Sequence, residues 1–284
     1  MSGNSSGSRT GFQPGTGIAP GTGLHYLHAG GGDLVVLLHG WGASKEIWWG
    51  TLKALAPAYS TFAFDWPGHG SPALDADRDV LAALVEVTAA TCSALGLERI
   101  TLVGHSLGGN VAARVALAFP GLVANLILVN AAVDAEHLSK PSRLLAHPRW
   151  GETVIRLERR LTKPFAQFGA RLPHEHGGGH FRAWTRRTGY MARVDTLVLH
   201  TFLVALHQGS LGEQVGAITQ PTLIITGKRD PLVQPRQAYQ LARAIPHARL
   251  AIIDGAYHVP MDERPAEFHR TLLAFIKGHP LGSA

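Results

Sequence analysis

Apolar residues along this chain fall into two alternating patterns. Short runs dense in Val, Ile and Leu recur: LVVLLHG from Leu34, STFAFDW from Ser60, ITLVGHS from Ile100, LILVNA from Leu126, TLIITGK from Thr222 and RLAIID from Arg249. Each has the length and continuity of a strand buried on both faces. Between them, Asp77 to Leu95, Leu107 to Phe119, Pro235 to Ala244 and Pro265 to Lys277 read as helices. Strand and helix alternate, which predicts a parallel sheet with helices on both faces. The rhythm breaks over 133–217, where GETVIRLERRL and VDTLVLHTFLVAL are helical patterns with no comparable strand. This segment is expected to be an inserted helical cap, leaving 24–132 and 218–284 as the core. Ligands of open parallel sheets bind beyond the carboxyl ends of the strands, so a cap after Leu126–Ala131 would sit over that edge and shape a pocket.

Composition narrows the picture. At 284 residues, 45% hydrophobic and 16% charged, the chain can bury a sizeable core and is globular. Residues 1–23 are polar and glycine-rich without the apolar stretch of a secretory signal, and are expected to form a disordered leader, with the protein in the cytoplasm. The longest apolar candidate for a membrane span, Val194 to Leu206, is interrupted by Asp195 and His200 and falls short of the roughly 18 residues a span requires. Cys92 has no second cysteine to pair with and reads as a small buried apolar residue. The net charge of +6 is concentrated in 133–216, where twelve Lys and Arg face seven Asp and Glu. No nucleic-acid-binding motif accompanies it, so a solvated basic face is expected and no nucleic-acid partner.

The candidate chemistry sits at strand ends. In GHSLGG, Ser106 follows a strand and opens a helix, with Gly104 and Gly108 two positions away on either side. A sharp strand-to-helix turn forces those flanking positions together and lifts the central hydroxyl clear of the sheet. The helix from Leu107 directs its unpaired N–H groups at charge developing there. A serine needs a base and the base an orienting acid. GKRDPLV places Asp230 after one later strand and GAYHVP places His258 after the next. Ser106, Asp230, His258 is the chain order of the strand-turn-helix hydrolase template. His105 is expected to point away from the serine, His39 lies near the oxyanion loop, and Asp254 competes with Asp230 for the acid role. Two oxyanion donors are expected, the N–H groups of Leu107 and of Trp41 in HGWG, with the Trp41 ring as a pocket wall.

HGWG, DWPGHGSP from Asp65, GHSLGG, GKRD and GAYHVP together resemble the α/β-hydrolase superfamily in its capped serine-esterase branch, over Leu24 to Lys277. The resemblance implies an α/β-hydrolase fold: an eight-stranded, mostly parallel sheet flanked by helices, with its second strand antiparallel and a helical cap after the sixth. It also implies no cofactor, an acyl-serine mechanism on an ester substrate with water, and structural roles for Asp65 and His69. Serine at the elbow disfavours the aspartate chemistry of dehalogenases and epoxide hydrolases; carbon–carbon bond hydrolases, perhydrolases and a binding protein that has lost turnover stay open. Trp48, Trp49, Trp66, Phe165, Phe168, Trp184, Tyr190 and Phe202 are candidates for pocket lining or core; as lining they would favour medium acyl chains or aryl esters. His174, His176 and His180 in HEHGGGH could suggest a metal, but their spacing fits no formed site and the proposed chemistry needs none.

Overall fold

The computed structural model describes residues 12–71, 79–172 and 179–281. Eight strands form its sheet: β1 (Gly15–Ile18), β2 (His25–Ala29), β3 (Asp33–Leu38), β4 (Tyr59–Phe64), β5 (Ile100–His105), β6 (Val123–Val129), β7 (Thr222–Gly227) and β8 (Arg249–Ile253). Their spatial order is β1-β2-β4-β3-β5-β6-β7-β8. β2 runs antiparallel to both β1 and β4, and every other pairing is parallel, as the resemblance implies. The six strands legible from apolar runs are β3 to β8.

Central strands are apolar on both faces because both faces are covered. Val36, Leu38, Leu102, Leu126, Leu128 and Ile224 point to one core; Val35, Leu37, Val103, Ile127, Val129 and Ile225 point to the other. The first core is roofed by α2 (Val80–Ala94), α3 (Leu107–Ala118) and α8 (Pro235–Ala244), the second by α1 (Trp49–Leu55) and α10 (Pro265–Lys277). Cys92 lies fully inside the first core, where burial pushes its thiol up to about 12, so it serves as an apolar filler.

The amino-terminal expectation needs correction. Residues 15–18, assigned to a disordered leader, form β1 and pair in register with β2. The glycines that made this stretch look unstructured are required there: a Cβ on Gly15 would strike the His28 ring at 2.2 Å, and one on Gly17 the Tyr26 ring at 2.3 Å. Rings from β2 fill the space that side chains of β1 would occupy.

Between β6 and β7 the described chain is helical: α4 (Lys140–Leu145), α5 (Gly151–Gly169), α6 (Gly179–Met191) and α7 (Thr196–Gln208). Ile155, Met191, Val194 and Leu199 form a small core of their own, while Phe202, Leu203 and Leu206 join the main core. No single described helix is long and apolar enough to cross a membrane. The last short helix, α9 (Pro260–Glu263), precedes α10.

The turn after β4 is a buried polar knot. Asp65 accepts the Lys45 backbone N–H at 2.7 Å and pairs with the Lys45 ammonium, while the Trp66 N–H donates to His39 Nε2 at 3.1 Å and the Trp66 indole N–H to the His39 carbonyl at 2.8 Å. His69 stacks on Phe202 of α7 with 5.0 Å between ring centroids. Asp65 and His69 thus tie β4 to the helix after β3 and to the cap, the structural role expected of them.

Burial keeps the histidines here neutral: it lowers His39 well below its ordinary value, His69 to about 4 and His105 to about 3, from 6.5. Between those values and 6.5 the unfolded chain binds more protons than the native one, so acidification costs stability. Asp65, which burial pushes up to about 6 despite Lys45, works in the opposite sense between 6 and its ordinary 3.8. Three groups against one leave a net loss on acidification, ~1–3 kcal/mol per pH unit between pH 6 and 4. Thermal melts at fixed ionic strength should show Tm falling continuously from pH 7 to pH 4.5, and a flat Tm over that range would contradict the neutral-histidine assignment.

Candidate active site

β3 lies between β4 and β5, so the chain leaves β3 toward one side, returns across it, and opens a crevice at the carboxyl ends of β3 and β5. The loops carrying His39–Gly42 and Ser106 meet there. Ser106 sits at φ 53°, ψ −116°, a left-handed conformation that is costly for a residue with a side chain. The surroundings hold it: its N–H donates to the Val129 carbonyl at 3.0 Å, and its own carbonyl accepts from Gly109 at 2.9 Å and Ala132 at 3.0 Å. The flanking glycines are sterically compulsory, since a Cβ on Gly104 would lie 2.2 Å from the Gly108 oxygen and one on Gly108 2.4 Å from the Leu38 oxygen.

Asp230 and His258 come together as expected. His258 Nδ1 and Asp230 Oδ2 are 2.7 Å apart, and Asp230 Oδ1 accepts the Leu232 and Val233 backbone N–H groups at 2.8 and 3.1 Å. Burial alone would raise the Asp230 carboxyl, but the His258 ring and these hydrogen bonds outweigh it and hold the pKa below the ordinary carboxylate value. Asp254, the competing acid, is exposed and paired with Lys228 at 3.3 Å. His105 turns away from the serine, its Nε2–H donating to the His258 carbonyl at 2.7 Å, and packs edge-on against Trp48.

The sequence reading missed Asn130, which follows β6 at φ 42°. Its amide N–H groups donate to Asp230 Oδ2 and, at 2.9 Å, to the Tyr257 carbonyl, and its amide oxygen accepts the Gly227 N–H at 3.1 Å. One side chain therefore fastens the acid, the loop before His258 and the end of β7. A polar residue closing the apolar run LILV was the available signal.

Ser106 and His258 line one cavity of about 190 Å³ with Gly40, Trp41 and His105. Its remaining walls are mostly aliphatic, from Ile47, Leu138, Leu145, Leu203, Leu206, Leu232, Val233 and Val259, with Ser139, Ser142, Glu158 and Arg187 as polar members. Core loops and the helices between β6 and β7 both contribute to it. The Trp41 ring forms a wall, anchored by its indole N–H on the Leu199 carbonyl at 2.7 Å. Gly40 passes so near Ser106 that an added Cβ would lie 2.9 Å from the serine Cβ, which brings the Trp41 backbone beside the elbow. Among the described residues neither the Trp41 nor the Leu107 N–H meets a backbone acceptor.

None of the eight aromatic candidates lines this cavity. Trp48, Trp66, Tyr190 and Phe202 are core, and Phe165 and Phe168 are exposed. Helix-face patterns identify aromatic residues but not the rotation of a cap helix, and here that rotation presents leucines inward. Of the histidine-rich loop, His174 and His176 lie outside the described residues; His180 Nδ1 bonds Glu263 at 2.9 Å and its ring stacks on Tyr257. No cluster of three or more metal-ligating side chains occurs among the described residues.

Comparison with known proteins agrees with this architecture. A family model described as "alpha/beta hydrolase fold" matches residues 33–265. A relative named "Putative carbamate hydrolase RutD" from Pseudomonas savastanoi is 30% identical, over 89% of this chain and 97% of its own. The pimeloyl-[acyl-carrier protein] methyl ester esterase of Nitrosomonas europaea is 27% identical, over 86% and 96%. The enol-lactonase of Burkholderia xenovorans superposes with a TM-score of 0.74 at 21% identity, covering 93% of this chain and 100% of its own. With its sheet order, its buried serine turn and a family match spanning most of its length, this chain belongs to the α/β-hydrolase family and is a hydrolase.

Proposed function

We propose that the protein cleaves carboxylic esters through an acyl-serine intermediate, with Ser106 as nucleophile, His258 as base and Asp230 as its orienting acid. The observation that carries this reading is the 2.7 Å His258–Asp230 hydrogen bond on the wall of a cavity that also holds Ser106 at its left-handed turn. Asp230 fixes His258 with Nδ1 protonated, which leaves Nε2 free to accept the serine proton. Ser106 Oγ attacks the ester carbonyl carbon as its proton passes to Nε2. The oxyanion forms against the Leu107 and Trp41 N–H groups, aided by the positive end of α3. Collapse breaks the bond to the alcohol, which leaves with the proton from His258. Water then attacks the acyl carbon with His258 again as base, and the acid departs as Ser106 recovers its proton.

Two relatives bear names for chemistry of this kind, a methyl ester esterase and a putative carbamate hydrolase, and esters and carbamates alike present an acyl carbon bonded to a heteroatom. The mostly aliphatic cavity of about 190 Å³, below the roughly 300–1,000 Å³ of pockets for drug-sized ligands, favours short acyl groups over medium or long chains.

Turnover of p-nitrophenyl esters from acetate to long-chain should peak at the short end, and Ser106→Ala should lower kcat at least ~10³-fold without loss of fold. Asp230→Asn should lower it ~10²–10⁴-fold by releasing the His258 tautomer. Substantial turnover by folded Ser106→Ala would remove the serine from its role. An inactive, folded wild type would turn attention to carbon–carbon cleavage or perhydrolysis.

Asn130 is assigned as a positioning residue. Asn130→Ala should reduce kcat about tenfold with little change in KM, since it touches the acid and not the cavity. Asn130→Asp sets a second carboxylate against Asp230 and should move the acidic limb of the kcat/KM profile to higher pH by stabilising protonated His258. An unmoved limb in an active Asn130→Asp variant would reduce Asn130 to a structural tie.

A further inference from the structure

Two arginines stand side by side in α6, and packing sends them to different fates. Arg186 is buried and paired with Asp262 of α9. Arg187, about 100° further round the helix, turns into the cavity that holds Ser106 and His258. Its guanidinium lies over the Trp41 ring, 5.8 Å from the centroid, and that ring is itself pinned by the indole bond to Leu199. Among the described residues no carboxylate comes within ion-pair distance of it. The anionic groups that act on it are Glu158 of α5, which also lines the cavity, and Asp230, which is committed to His258. Burial lowers the guanidinium's pKa, with Glu158 and Asp230 opposing; even so, an arginine stays protonated at neutral pH.

A half-buried guanidinium lying over an indole face keeps N–H donors of its planar fork for an external partner. Most of the other lining residues are aliphatic, with Glu158 the one acidic residue among them, so Arg187 is a cation in a largely apolar cavity. With Glu158 in the cavity but not within ion-pair distance, a neutral ester would leave the guanidinium without a direct ion pair once water is expelled, at a cost a carboxylate on the substrate removes.

We propose that Arg187 is a carboxylate clamp, and that the site takes short aliphatic esters carrying a free carboxylate, such as hemiesters of four- to six-carbon dicarboxylic acids. This substrate class rests on the serine-hydrolase reading above. The carboxylate binds the guanidinium edge through two N–H donors, the methylene chain lies against Leu203, Leu206 and Val233, and the ester carbonyl reaches Ser106. Hydrolysis then yields the dicarboxylate and an alcohol, with water as the only co-reactant.

The test compares monomethyl succinate, glutarate and adipate with the corresponding dimethyl esters and with methyl butyrate, using wild type, Arg187→Gln and Arg187→Lys. Wild type should favour the hemiester over the diester by about tenfold to hundredfold in kcat/KM. Arg187→Gln should collapse that ratio, mostly through KM for the hemiester, and Arg187→Lys, which keeps charge but not the planar fork, should fall between. Equal turnover of hemiester and diester by wild type, or an unchanged ratio in Arg187→Gln, would overturn the clamp while leaving the serine mechanism standing; a lowered Tm with an unchanged ratio would make Arg187 a structural partner of Trp41. If no ester of either kind is turned over, the serine-esterase reading fails, and calorimetry decides the clamp separately. Monomethyl glutarate binding to Ser106→Ala and lost in the Ser106→Ala, Arg187→Gln double variant would sustain it, and absent binding would end it.

Discussion

The backbone crossing at Gly104 and Gly108 is the constraint on which the rest of the site depends. A turn that reverses from β5 into α3 within one residue must bring those positions into contact, and the 2.2 Å available to a Gly104 Cβ leaves room for hydrogen alone. Ser106 is driven to φ 53° as a result. Such a conformation costs of order 1–3 kcal/mol and persists only when neighbours over-determine it. Here they are Val129 and Ala132, both adjoining the end of β6, which bond the serine's N–H and carbonyl. The orientation of the hydroxyl is therefore a property of the sheet, since displacing β6 relative to β5 would release the turn.

The same dependence extends outward through buried polar groups. Asn130, one residue past β6, reaches Asp230 after β7 and Tyr257 after β8; His105, the last residue of β5, reaches the His258 carbonyl. The carboxyl ends of four strands are thus tied by side chains whose partners are almost all backbone atoms. Backbone partners vary little in position, so a base held this way keeps its geometry without itself being packed tight. His105 contributes because it stays neutral: a protonated imidazole there would set a charge beside His258, and burial forbids it.

What was legible in the sequence follows from which forces act locally. Strands β3 to β7 lie inside the sheet and are largely buried on both faces, so their apolar runs stand out, and the edge strand β8 keeps a run although it is mostly half-buried or exposed; β1 and β2, at the other side, carry glycine opposite aromatic rings and show no such run. The serine turn and the order of acid and histidine are sterically and chemically coded at single positions and were readable. Asn130 was not, because its value arises from Asp230 and Tyr257, about a hundred residues further along the chain. The cavity lining was not either. Which face of a cap helix turns inward depends on packing between α5, α6 and α7, and the pattern TRRTGY contains nothing to separate Arg186 from Arg187.

That separation also explains why an apolar cavity tolerates a cation. α6 is anchored at Arg186 by an ion pair buried against α9, next to the loop that carries His258. Fixing one arginine fixes the rotation of the helix, and the next residue is then committed to the cavity whatever its own solvation favours. Glu158 in the same cavity and the Trp41 ring quadrupole supply partial compensation, and the Trp41 backbone stands beside the elbow. Cap position, cavity charge and the oxyanion loop are thereby mechanically linked. A shift of α6 that withdrew Arg187 from Trp41 would also remove a contact that holds the loop, so a ligand bridging Arg187 and Ser106 would stabilise the cap and the acyl site together.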